Sequence, residues 1–111
     1  MGLTKTDLFT EQQNALSLMA KAFSHPARIA ILHYLLKSTS CINTNLVNEL
    51  GLSQPTISQH LKELKAIGII QGTIEGTSMN YCIDPLKWIE IKNAFNSLFD
   101  QHPCCSDGDC C

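Results

Sequence analysis

The sequence predicts a mainly α domain with one small β-hairpin, and three observations carry that prediction. In residues 52–67, Ile57, Leu61 and Leu64 recur at i, i+4 and i+7, which draws one apolar stripe along a helix. A second short helical segment, 43–50, precedes it across a tight Gly51-Leu52 connection, and two helices so joined make a helix-turn-helix pattern. Directly afterwards, β-prone runs at Ile69-Ile70, Thr73-Ile74 and 79–83 are broken by the turn residues Glu75-Gly76-Thr77-Ser78. A hairpin placed there is the wing of a winged helix-turn-helix, with five helices and the hairpin between the fourth and the fifth.

Each element has its own local signal. Thr10 and Gln13 form a capping box for a first helix that runs to about Phe23, with Ala15, Leu16, Leu18, Met19, Ala22 and Phe23 on a broad apolar face. His25 starts a second helix, and Pro26 suits its first position because proline has no N–H to leave without a partner. Ile29, Leu32, His33, Leu35 and Leu36 carry that helix to Lys37, with His33 expected partly buried. Leu46, Val47 and Leu50 are the inward side of the third. Ser53 is placed to cap the fourth, Pro55 suits its first turn, and Gly68 is a left-handed stop. Asp84-Pro85 opens the fifth, whose face of Trp88, Ile91, Phe95, Leu98 and Phe99 ends near Asp100.

Composition bounds the rest. The chain has 111 residues, 44% of them hydrophobic, enough for one domain with a modest core. No apolar run is long enough for a membrane span, and the N-terminus lacks the apolar core of a secretory signal, so a cytoplasmic protein without a membrane partner is expected. The expected organisation is a flexible N-terminus over 1–9, one folded domain over 10–100 and a cysteine-rich tail over 101–111.

The fourth helix points to nucleic acid. Its polar face, with the capping Ser53, holds Gln54, Thr56, Ser58, Gln59, His60 and Lys62, mostly neutral donors and acceptors of the kind that contact base edges and phosphates. An ordinary solvated face would carry more Glu and Lys pairs. The net charge of −2 works against this reading. It is distributed as +1 over 1–50, zero over 51–83 and −3 over 84–111, so the candidate face is not repelled by DNA but attracts it weakly. A shallow salt dependence follows. First and last helices with such wide apolar faces exceed what a small domain needs for itself, which marks Leu16, Met19, Trp88, Ile91, Phe95, Leu98 and Phe99 as a homodimer seam.

The tail is the second chemical feature. Four of the six cysteines, Cys104, Cys105, Cys110 and Cys111, fall in the last eight residues among Gly and Asp, with no apolar neighbours to bury them. In a reducing compartment a disulfide framework is not expected, whereas clustered thiolates select soft ions. Three sulfurs would suit As(III) or Sb(III), and four would suit zinc or cadmium. A redox switch by disulfide or persulfide is the alternative. Cys41, at the entrance to the helix-turn-helix, is a further candidate ligand, and Cys82 in the second strand reads as structural.

The order of elements, with the segments HPARIAIL and SQPTISQHLKEL, resembles the ArsR/SmtB family of bacterial repressors over about residues 10–100. The resemblance implies a winged-helix homodimer with the first and last helices at its interface. It also implies repression of a resistance or homeostasis operon, and release of operator DNA when an inducer binds. It places Gln54, Thr56, Ser58, Gln59 and His60 at recognition positions and Lys62 on a phosphate. Two family sites do not carry over. The Cys-x-Cys pair of the arsenic sensors falls on Ile42 and Thr44, with only Cys41 beside it, and the last helix lacks the histidines of the zinc sensors. The tail thiols are therefore the expected inducer site. Nothing in the chain resembles a nucleophile elbow, a phosphate loop or a zinc-protease motif, so no enzyme is expected. A metal-binding interaction module is the reading from another class.

Overall fold

A computed structural model of the chain describes residues 8–37, 46–73 and 80–101. Helix α1 (Glu11–Ala20) opens on the expected capping box. The Thr10 hydroxyl accepts the Gln13 N–H at 3.0 Å, and the Gln13 side-chain oxygen Oε1 accepts the Thr10 N–H at 3.0 Å. The helix does not continue as α to Phe23. It tightens into a 3-10 turn, Lys21–Phe23, because Ser24 closes a three-residue ring by donating both its N–H and its hydroxyl to the Lys21 carbonyl.

Helix α2 (Pro26–Leu36) is capped by a histidine: His25 Nδ1 accepts the Ala27 N–H at 3.0 Å. His33 is exposed rather than partly buried, since it lies on the side of α2 away from Ile31, Leu32 and Leu35. Helix α3 (Leu46–Leu50) turns through Gly51, at φ 74°, toward α4 (Gln54–Ile67). Ser53 has the extended backbone of a cap, but its hydroxyl pairs with Thr56 Oγ1 at 2.9 Å and makes no capping bond to a backbone N–H. Gly68 ends α4 as expected, at φ 97°, and its N–H reaches the Leu64 and Lys65 carbonyls.

The hairpin pairs β1 (Ile70–Thr73) with β2 (Asn80–Ile83), antiparallel, in a register that sets Ile70 against Ile83 and Gly72 against Tyr81. The turn expected at 75–78 lies outside the described residues. Lys65 Nζ donates to the Gly72 carbonyl at 2.6 Å and so ties the end of α4 to the first strand. Tyr81 is 1% exposed, and burial, with a smaller contribution from Tyr34, pushes its phenol up to about 12. It is therefore a neutral core residue at any physiological pH.

Helix α5 (Pro85–Phe99) begins where Asp84 accepts two backbone N–H groups, from Leu86 at 3.0 Å and Lys87 at 3.2 Å, on one carboxylate oxygen. The Asp84 N–H in turn donates to the Ile69 carbonyl at 2.9 Å, which fixes the hairpin exit against the end of α4. Asp84→Ala is expected to cost about 1 kcal/mol, the usual worth of such a cap. Urea unfolding monitored through Trp88 measures it.

The core is built by α2 (Ile31, Leu32, Leu35), α3 (Leu46), α4 (Ile57, Leu61, Leu64) and the hairpin (Ile69, Ile70, Tyr81). Helix α1 contributes no fully buried residue and α5 only Ile91. These two helices flank the core and meet each other. Phe23, in the 3-10 turn that follows α1, packs edge-on to Phe95 of α5 at 6.0 Å between ring centroids, and within α5 Phe99 stacks on Phe95 at 6.1 Å. Among the described residues no helix is long and apolar enough to cross a membrane.

One expectation fails here. Ile91 is 2% exposed and belongs to the protein's own core, so it is no seam residue. The apolar residues of α5 fall on more than one side, and spacing alone does not say which side meets the core. Trp88 and Phe95 are likewise partly buried against the core, whereas Leu98 and the 72% exposed Phe99 face outward. Cys82, read from the sequence as structural, is disulfide-bonded. Its partner cysteine lies outside the described residues, and connectivity is a property that residue spacing does not determine.

Candidate nucleic-acid interface

The fold sorts the residues of α4 by burial. Ile57, Leu61 and Leu64 point into the core and are at most 1% exposed. Their burial leaves Ser53, Gln54, Thr56, Gln59 and Lys62 exposed and Ser58 half-buried, a continuous polar face at the N-terminal half of the helix. These side chains are paired along that face. Besides the Ser53–Thr56 contact, Gln54 Nε2 donates to Ser58 Oγ at 3.0 Å and Gln59 Nε2 to Glu63 Oε1 at 3.0 Å. Such i,i+3 and i,i+4 bonds hold the amides and hydroxyls in defined positions.

His60 does not join them. It is 9% exposed and faces the core side of α4. The reason is geometric and was present in the spacing: position 60 is three after Ile57 and four before Leu64, inside the apolar stripe. Its ring lies 4.6 Å from that of His25, and its Nδ1 accepts the Arg28 Nε–H at 3.2 Å. Burial, then His25 and Arg28, hold the His60 imidazole below its ordinary value of 6.5. His60 is thus a neutral residue that anchors the recognition helix from behind rather than a base-edge reader.

Arg28 is the residue that sequence reasoning missed. Its Nη2 pairs with Glu63 Oε2, its Nη1 donates to the Lys21 carbonyl at 2.5 Å, and its side chain is 11% exposed. One guanidinium therefore joins the 3-10 turn, α2 and α4. Nothing in the linear sequence signals a contact between positions 28 and 60.

The other proposed sites divide between the two sides of the described boundary. Leu16, Met19 and Leu98 line a groove of about 520 Å³ between α1 and α5. Among the described residues no group of three or more His, Cys, Asp or Glu could hold a metal ion. The inducer ligands expected from sequence, Cys41, Cys104, Cys105, Cys110 and Cys111, all lie outside the described residues.

Known proteins share this arrangement. Residues 25–71, from the α2 cap to the start of the first strand, match the family model "Bacterial regulatory protein, arsR family". An uncharacterized HTH-type transcriptional regulator of Methanocaldococcus jannaschii is 42% identical over 65 residues, 58% of this chain and 73% of that protein. The HTH-type transcriptional repressor SmtB of Mycobacterium tuberculosis is 41% identical over 63 residues, 57% of this chain, and the match spans about half (46%) of SmtB's length. Among solved structures, NolR from Sinorhizobium fredii superposes with a TM-score of 0.59 at 24% identity, covering 92% of this chain and 99% of NolR, which establishes the shared fold. The two sequence relatives are named as transcriptional regulators. With residues 25–71 matching the family model and a 42% identical regulator covered to 73% of its length, the chain belongs to the arsR family of bacterial regulatory proteins.

Proposed function

We propose that this chain is a homodimeric, cytoplasmic repressor that binds an operator in double-stranded DNA and releases it when cysteine thiolates capture As(III) or Sb(III). The observation that carries the DNA reading is the polar face of α4, raised clear of the core with its neutral donors and acceptors fixed in place. Ser53, Gln54, Thr56, Ser58 and Gln59 are its base-edge and backbone contacts, and Lys62 a phosphate contact. Pairing of two subunits through Leu16, Met19, Leu98 and Phe99 would close the α1/α5 groove and supply two half-sites.

The inducer site is assigned to Cys104, Cys105, Cys110 and Cys111, with Cys41 as a further ligand, because adjacent thiolates suit a soft ion. Cadmium or zinc would use four of the same sulfurs. Binding acts as a coupling free energy: the inducer favours a dimer geometry unsuited to successive major grooves. A coupling of about 1–3 kcal/mol weakens operator affinity roughly five- to a hundred-fold.

Fluorescence anisotropy of the reduced protein on its own upstream DNA, titrated with arsenite, tests this. Dissociation near one to two equivalents per dimer is expected. Removal of residues 102–111 is expected to leave DNA binding intact and to abolish the arsenite response. A truncated chain that still responds normally refutes the tail site. The alternative is a thiol-redox repressor of the same fold, switched by disulfide or persulfide formation at exposed thiolates. Release by a persulfide donor, but not by arsenite, would select it.

A further inference from the structure

The contact between Arg28 and His60 crosses from the α2 side of the domain to the back of the recognition helix, and it has a chemical condition. Arg28 Nε is always a donor, so His60 Nδ1 can accept from it only while unprotonated. Protonation would place an N–H against an N–H and a second cation beside the guanidinium. We propose that Arg28 is a positioning residue for DNA recognition, holding α4 through the unprotonated Nδ1 of His60, so that acidification loosens the recognition helix and weakens operator binding. The inference rests on the DNA-binding reading above.

The surroundings of His60 support it. From α2 and its cap come Arg28 and His25, whose ring is tilted against that of His60 at 4.6 Å, and both disfavour a charged imidazole. From α4 itself comes Glu63, which is occupied by Arg28 and by Gln59. Of the other elements packed on α4, the 3-10 turn brings Lys21 and α3 brings Glu49, neither of which moves the His60 equilibrium, and β1 has no ionisable residue. His25 spends its own Nδ1 on the Ala27 N–H, so both rings are committed as acceptors on that atom. The sign follows. An imidazole held below 6.5 in the folded protein favours folding fully above that pH, and the contribution is lost as pH falls below it. DNA phosphates alone would act in the opposite sense, since a protonated histidine attracts them.

The test uses the full chain and a duplex that it selects from a random 30-base-pair pool, with anisotropy read from pH 7.5 to 5.5 at constant salt. Wild-type affinity is expected to fall toward acid, by up to about tenfold per pH unit for each proton taken up. His60→Asn keeps an acceptor oxygen near the Nδ1 position and cannot titrate, so it should bind at pH 7.5 within about threefold of wild type and lose the acid slope. Arg28→Met should bind at least tenfold more weakly at pH 7.5 with an unchanged circular dichroism spectrum; should it fail to fold, the His60→Asn profile decides. A wild-type profile that is flat or rises toward acid overturns the proposal, as does an acid slope retained in His60→Asn. A chain that selects no duplex overturns the DNA-binding reading itself.

Discussion

Leu61→Ala is expected to remove about 3–4 kcal/mol of folding stability, enough to leave a domain of this size partly unfolded at 37 °C. Leu61 is completely buried at the centre of α4, where α2, α3 and the hairpin converge. Shortening it forfeits the transfer of three carbon atoms from water and leaves a cavity. The surrounding Ile31, Leu46 and Ile57 belong to other rigid turns and cannot all move in to fill it. The effect is larger than that of the Asp84 cap because the cap can be replaced by water and the lost methyl groups cannot. Urea denaturation gives the number: a midpoint shifted with an unchanged slope confirms a packing loss. A change below 1 kcal/mol would mean that the α4 stripe is not the centre of the core.

Gly72→Ala is expected to cost about 3 kcal/mol and to disorder the hairpin selectively. Gly72 sits at φ 122°, where a side chain is strained, and a Cβ there would stand 2.0 Å from the Asn80 carbonyl oxygen and 2.8 Å from Tyr81 Cα. Those are backbone atoms of the facing strand, so no rotamer change relieves the overlap. The strands must separate, which also withdraws the Gly72 carbonyl from Lys65. Hydrogen exchange should show lost protection in 70–73 and 80–83 while α2 and α4 retain theirs. Equal loss everywhere would show that the hairpin and the helical core form a single cooperative unit. DNA affinity should fall in the same variant if the hairpin flanks the duplex.

Much of this architecture was legible because its signals are local or periodic. Ile57, Leu61 and Leu64 mark the buried side of α4 by spacing alone, and Thr10/Gln13 and Asp84-Pro85 mark helix starts by short-range chemistry. His60 shows the limit of reading residue type over position: a polar side chain suggested the outer face, while its phase in the stripe put it inside. The same ambiguity misplaced Ile91. Two features had no sequence signal at all. Arg28 reaches His60 across 32 positions, and the disulfide of Cys82 depends on a partner that only the folded chain selects.

The hydrogen-bonded pairs along α4 carry a consequence for how such a face would discriminate. Ser53 with Thr56, Gln54 with Ser58 and Gln59 with Glu63 are already satisfied before any base arrives. For the two neutral pairs, Ser53–Thr56 and Gln54–Ser58, a matching base edge merely trades one neutral bond for another, a nearly even exchange. A mismatched edge breaks the existing pair and returns nothing, leaving a dehydrated amide or hydroxyl with a penalty of about 1–3 kcal/mol. Selectivity would then arise by rejection more than by attraction. Because the chain carries a net −2, its grip on arbitrary DNA is also thin. Encounters with wrong sites would be brief, and most molecules would wander free between operators rather than sit parked along the chromosome.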